Sequence, residues 1–281
     1  MRNFFIFVTF LLFLINKDSV ILGASSALNI WSKNVFPVLF PTFIIADLII
    51  SSSFITIFTK YIGNILGKIF KTTKYVAFIL FISLICGTPT NAKLLKNLYD
   101  NNLIHENSIT KILTFTYFFN PFFILMFTNF KTLIIFWISN IITGLLLRNK
   151  YTDDYTNINN NNISFNLGDS IAKNMNVIIN ILGTITVFMV ISYTMPFINP
   201  YFNVSITGIL ELTTSLYKIK MYFNIDYFYL AALSFCGFSI LIQIKSIMKD
   251  TFVDYKLLIK SRIITLVLSL AICWLTQCIT A

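Results

Sequence analysis

Stretches of about 20 residues with almost no charge recur along this chain, and that is the length an α-helix needs to cross the hydrocarbon of a bilayer. At that depth every backbone N–H and C=O must be satisfied within its own segment, so a chain built this way folds as helices. The spans expected run from Asn3 to Gly23, Val35 to Phe58, Tyr75 to Leu98, Ile109 to Thr128, Thr132 to Leu147, Val177 to Ile198, Asp226 to Ile247 and Leu257 to Gln277. Ile206 to Lys220 is too brief to span and reads as a re-entrant or half helix. The fold class expected is an all-α polytopic membrane protein with about eight transmembrane helices, some of them broken or re-entrant, in a multi-pass protein of the cell membrane.

Composition agrees, with 57% hydrophobic and 11% charged residues against about 25% charged in soluble domains. The formal charge of +10 does not point to nucleic acid, because the basic residues lie in the connections between apolar runs and form no single stripe. Lys60, Lys68, Lys71 and Lys74 follow the second span and Arg148 and Lys150 the fifth, which places the N-terminus and both connections in the cytoplasm. The four cysteines, at 86, 236, 273 and 278, form no CxxC pair and have no histidine at ligand spacing, so free thiols and no metal site are expected. There is no GK[ST] phosphate loop, HExxH or GxSxG, so no catalytic residues and no cofactor are expected, and the chain reads as no enzyme.

One segment breaks the apolar pattern. The run AFILFISLI at 77–85 leads into CGTPTNAK, with Gly87, Pro89 and Lys93. Gly87 permits an unusual backbone angle, Thr88 is a capping residue and Pro89 suits a first helical turn, so the segment stops one helix and starts another. Cys86-Gly87 has an echo at Cys236-Gly237, 236 − 86 = 150 residues on, and Lys33-Asn34 echoes Lys173-Asn174. The organisation expected is an N-terminal transmembrane helix over 1–28, retained like a signal anchor, and two pseudo-repeats over 29–148 and 177–281, joined by the polar, Asn-rich connection 149–176.

Candidate binding residues follow from the cost of polar groups in hydrocarbon. Asp47 and Glu211 are acids within apolar segments, and such a group faces a cavity or a partner. Lys93 either binds an anion, neutralises Asp47 or snorkels to the surface. The break contributes Thr88, Pro89 and Asn91, and Asn120 before Pro121 interrupts the fourth span. Ser239 and Gln243 follow the second break.

The segments NVFPVLFPTFIIADLI (34–49), CGTPTNAKLL (86–95), FTYFFNPFFI (115–124), GILELT (208–213) and CGFSILIQI (236–244) together resemble the YlbJ-type sporulation integral membrane proteins, which carry a nucleoside-recognition or gate domain. Asn91 stands where that pattern commonly has glycine. The resemblance implies a bacterial protein of endospore formation that moves a small polar, nucleoside-like solute across the membrane. An intramembrane acid would couple that movement to protons or sodium. The alternative is a non-transporting assembly module of the spore envelope, a homo-oligomer or a partner of other sporulation membrane proteins, packing through small residues such as Gly63 and Gly67.

Overall fold

The structure is a computed structural model that describes residues 7, 11, 13–52, 55, 58–150 and 165–280. All regular elements among them are helical, with one isolated bridge between Gly87 and Phe119. Among the described residues five helical segments are long and apolar enough to cross a membrane: Lys17–Ser51, Phe130–Leu147, Leu167–Thr194, Asp226–Ile247 and Tyr255–Cys278. The chain is an all-α, multi-pass membrane protein.

The first of these is one rod that joins the end of one expected span to most of the next; of the expected Asn3 to Gly23 and Val35 to Phe58, residues 3–6, 8–10, 12, 53–54 and 56–57 lie outside the described residues. Helix α1 (Lys17–Ile30) passes through a π-helical turn (Trp31–Val35) into α2 (Phe36–Ser51). The residues about Gly23 and Ala27, expected to leave the helix, stay in it. Pro37 and Pro41 have no N–H to give to the turn before them, so the ladder widens there and does not break. A later helix, α9 (Leu167–Thr194), lies along the rod. Gly23 lets the backbones meet, since a Cβ there would sit 2.9 Å from the Val190 Cα. Trp31 Nε1 donates to the Ile178 carbonyl at 3.1 Å, and Phe43, Ile178 and Ile181 belong to their shared core.

Asn166 begins α9 ten residues before the expected span, accepting from the Gly168 and Asp169 N–H groups and satisfying donors that would otherwise be orphaned. The expected connection 149–176 therefore overlaps this helix, and its part 151–164 lies outside the described residues.

The remaining helices are α3 (Asn64–Phe70), α4 (Val76–Cys86), α5 (Thr90–Asp100), α6 (Glu106–Leu113), α7 (Pro121–Leu125), α8 (Phe130–Leu147), α10 (Pro200–Leu210), α11 (Leu212–Tyr222), α12 (Asp226–Phe235), α13 (Gly237–Ile247) and α14 (Tyr255–Thr280). Hydrogen bonds sort their ends onto two faces. At one, Lys71 Nζ donates to Asn149 Oδ1 at 2.7 Å, Lys111 Nζ to the Lys71 carbonyl, and the Asp254 N–H to Thr110 Oγ1 at 3.0 Å. At the other, Asp226 accepts from Asn129 at 3.1 Å and Thr132 at 2.9 Å, Tyr227 donates to Gln277 at 2.7 Å, and the Tyr201 ring lies 4.7 Å from Phe223.

These anchors fix the path of the chain. Helices α4 and α5 form a hairpin that enters from the first face and returns to it, so the expected span Tyr75 to Leu98 does not cross. Helices α10 and α11 form a hairpin from the second face, and 206–220 lies within it. Each arm has 11 residues, about 16 Å of helix, so each tip reaches roughly the middle of a 30 Å core. After each hairpin comes an interrupted crossing, α6 to α7 and α12 to α13. Then comes a continuous one, α8 and α14, joined by Thr143 and Thr265 hydroxyls 2.9 Å apart. The expected span Ile109 to Thr128 is thus two short helices with extended chain between them.

Gly63 and Gly67 face the chain's own backbone: a Cβ on Gly63 would be 2.3 Å from the Lys74 carbonyl oxygen, and one on Gly67 3.0 Å from that of Thr72. The small-residue spacing is used inside the molecule, to fold α3 onto the turn that precedes α4.

Candidate functional site

The four interruptions hold one another in pairs. Gly87, at the α4–α5 tip, has φ +79°, a left-handed conformation suited to glycine. A Cβ there would lie 2.5 Å from the Asn120 nitrogen. The Thr88 N–H donates to the Phe118 carbonyl at 2.7 Å. Asn120 then closes two helix ends at once: its Oδ1 accepts from the Phe122 and Phe123 N–H groups at 2.9 and 3.3 Å, and its Nδ2 donates to the Ile85 carbonyl at 3.2 Å.

The second pair joins the α10–α11 tip to the break in α12–α13. Gly237 has φ +70°, and a Cβ on it would meet the Leu210 carbonyl oxygen at 3.3 Å and the Glu211 nitrogen at 3.4 Å. Glu211 is buried, and its carboxylate accepts the Thr213 and Thr214 N–H groups at 3.0 and 2.7 Å. Those are orphan donors of a helix N-terminus, whose partial positive charge favours an anion. Among the described residues no cation stands within ion-pair distance of it.

Between the two pairs lies a cavity of about 220 Å³. Of the nine residues singled out in the sequence, Thr88, Pro89, Asn120, Glu211 and Gln243 line it. The Thr88 hydroxyl is buried without a hydrogen-bond partner. Phe119, Phe122 and Phe123 form part of an otherwise apolar wall.

The other four stand outside. Asn91 is fully buried and pins the first turn of α5 to the extended stretch, donating to the Thr116 carbonyl at 3.0 Å. Ser239 accepts from Gln243 Nε2 at 3.3 Å and so steadies a lining residue. Asp47 and Lys93 form an ion pair, the neutralising role among the three considered for Lys93. The Asp47 carboxylate also accepts from Asn97, from Ser170 Oγ at 2.7 Å and from Asn174 Nδ2 at 2.8 Å. Lys93 donates in addition to the Phe43 carbonyl at 3.1 Å. This cluster ties α5 to α2 and α9.

Two charged residues escaped the reading of the sequence. Lys33, noted there only as half of an echo, is exposed and lines the edge of the cavity; its signal was its place at the centre of the 35-residue rod, far from either end. Arg262 is wholly buried in α14. Its guanidinium donates to Asn140 Oδ1 at 2.9 Å and to the Thr114 carbonyl, and lies 4.3 Å from the centre of the Tyr117 ring. It joins α8, the end of α6 and the extended stretch. It fell inside the expected span Leu257 to Gln277, where it was not singled out.

No family model matches the chain, and no solved structure matches it. A curated protein, the sporulation integral membrane protein YlbJ of Bacillus subtilis, is 26% identical over 145 residues, 52% of this chain and 34% of that protein. The match thus spans about a third of the relative's length.

Proposed function

We propose that this chain is a sporulation membrane protein of the YlbJ type and that it carries a small polar solute across the membrane through the central cavity. The observation that carries the reading is the meeting of two hairpins, entered from opposite faces, at one cavity near mid-depth. Two units of opposite orientation, each a hairpin, an interrupted crossing and a continuous crossing, form an inverted repeat. Repeats of that kind bind solute at their interface and expose it to one side and then the other as one unit moves against its counterpart. In this reading the counterpart of the Gly87 tip is Glu211, and the Cys-Gly echo is a coincidence of breaking chemistry.

Glu211 supplies the means of coupling. Its charge is held by backbone donors, with no side-chain cation among the described residues within ion-pair distance, so a proton or sodium ion arriving with the solute would complete the site. The relative's name supports the process, spore formation.

The test is complementation of a spore-forming strain that lacks its own copy of the gene. Glu211→Gln and Thr88→Val are expected to insert at normal levels and to reduce heat-resistant spores at least tenfold. Wild-type spore counts with both changes together would overturn the reading. In a Cys-free background, Cys at 88 and at 213 should react with an impermeant thiol reagent from opposite faces; labelling of both from one face only would also count against it.

A further inference from the structure

The charges that share the cavity narrow the chemistry of the solute. Lys33 and Glu211 both line it, and they form no ion pair with each other. Two opposite charges in one apolar-walled space normally collapse together, because the low dielectric strengthens their attraction. Here they stay apart. Glu211 is bound as the cap of α11, and Lys33 stands in the π-helical turn of the rod.

Glu211 is buried in that space, and Lys33 is exposed at its edge. Lys33 lies at the middle of the rod, and the neighbouring Trp31 bonds to Ile178 near the middle of α9. The headgroups on either side are thus about 15 Å away, too far for a lysine side chain to snorkel to them. Thr88, nine-tenths buried, lines the same cavity with a hydroxyl that has no partner. It stands just ahead of the first turn of α5, an 11-residue helix whose cap position, Pro89, puts no side chain on its donors; the Ala92 N–H is taken by Asn91 Oδ1 at 2.8 Å and the Thr90 N–H by the Gly87 carbonyl at 3.0 Å, which leaves the Asn91 N–H. That end of the site offers a cation, a hydroxyl and the positive end of a helix, all suited to an anionic group. The Glu211 end offers a carboxylate, suited to an ammonium or another strong donor.

We propose that the solute is a small zwitterion of amino-acid size, its anionic group held between Lys33 and Thr88 and its cationic group at Glu211. The volume agrees: about 220 Å³ falls below the 300–1,000 Å³ of pockets for drug-sized ligands. The aromatic side chains between the two ends would cover a short apolar side chain. The inference rests on the transport reading above, which the spore assay tests separately.

The experiment is a binding measurement on the full chain, purified into lipid nanodiscs. The melting temperature is followed against each of the twenty L-amino acids, against their amides, which keep only the positive charge, against their N-acetyl forms, which keep only the negative one, and against uridine. At least one amino acid is expected to raise the melting temperature in a saturable way, with both of its charge-deleted forms at least about tenfold weaker, the effect of one lost charge-assisted hydrogen bond. Lys33→Met should then bring the amino acid down to the affinity of its amide, and Glu211→Gln to that of its N-acetyl form. Stabilisation by uridine and by no amino acid overturns the zwitterion while leaving a transported solute in place. Equal binding of amino acid, amide and N-acetyl form overturns it as well, and so does the absence of any binder in the panel, whatever the spore counts show.

Discussion

The hairpin α4–α5 and the hairpin α10–α11 reach the same cavity but are secured in different ways. The α5 arm of the first is bound sideways: Lys93 and Asn97 reach the Asp47 carboxylate, which also holds Ser170 and Asn174 of α9, and Asn91 is bonded to Thr116. The tip is laid on the extended chain through the Thr88 N–H and the Gly87 bridge. The second hairpin has no such cluster along its arms among the described residues. It is closed on itself by Glu211, rests on Gly237, and is held at its outer end by rings such as Tyr201 and Phe223 and by Lys220 donating to the Met126 carbonyl at 2.9 Å. A charge network that fixes one arm to two neighbouring helices makes that arm part of the scaffold. Packing and capping leave the other free to shift with little desolvation cost.

The widest gap between the hairpins should open on removing the charge at the centre of the first network. Asp47→Ala leaves Lys93 buried with one carbonyl and no carboxylate, a loss of about 3–5 kcal/mol for an orphaned buried charge. In detergent the variant should melt well below the parent, and adding Lys93→Met should recover most of the loss, since no charge is then left unpaired. Among the described residues the second hairpin has no counterpart, so a melting temperature unchanged by Asp47→Ala would dissolve the distinction.

A smaller contrast lies in the two glycines. Both have positive φ, which costs a non-glycine residue roughly 1–3 kcal/mol. Gly87→Ala also drives a Cβ to 2.5 Å from a backbone nitrogen, whereas at Gly237 the nearest atom is a carbonyl oxygen at 3.3 Å. Gly87→Ala is expected to lower the melting temperature more than Gly237→Ala, and the reverse order would show that the second pair is the tighter one.

Much of this was legible in the sequence, in a particular way. The helical class followed from span length, and the break at Gly87 from residues that can hardly do anything else in an apolar run. Thr88, Asn120 and Gln243, singled out at breaks in the helices, and Glu211, singled out as an acid in an apolar segment, line the cavity. The path of the chain was not legible. Whether a broken helix crosses or turns back depends on which surface receives its far end, and here that is settled by contacts such as Thr110 with Asp254, 144 residues apart. The same is true of Lys33 and Arg262. Lys33 fell in the stretch before the expected span Val35 to Phe58 and Arg262 inside an expected span, and only the neighbours brought by folding show that one lines a cavity and the other joins three segments.

The least perturbing change separates the two duties of Glu211. Replacing it by Gln keeps one of the two oxygens that accept from the α11 backbone, puts an NH2 that cannot accept in place of the other and removes the charge, so the stability lost should be about 1–2 kcal/mol. If α10–α11 is the mobile hairpin, its amide hydrogens should already exchange faster than those of α4–α5 in the parent protein, because opening it breaks no ion pair. Glu211→Gln should speed exchange in α11 by several-fold and leave α5 unchanged, as a weakened cap frays the helix it begins. Spread of the effect to α5 would mean that the tips move together, and the division into scaffold and moving part would then have to be drawn elsewhere in the molecule.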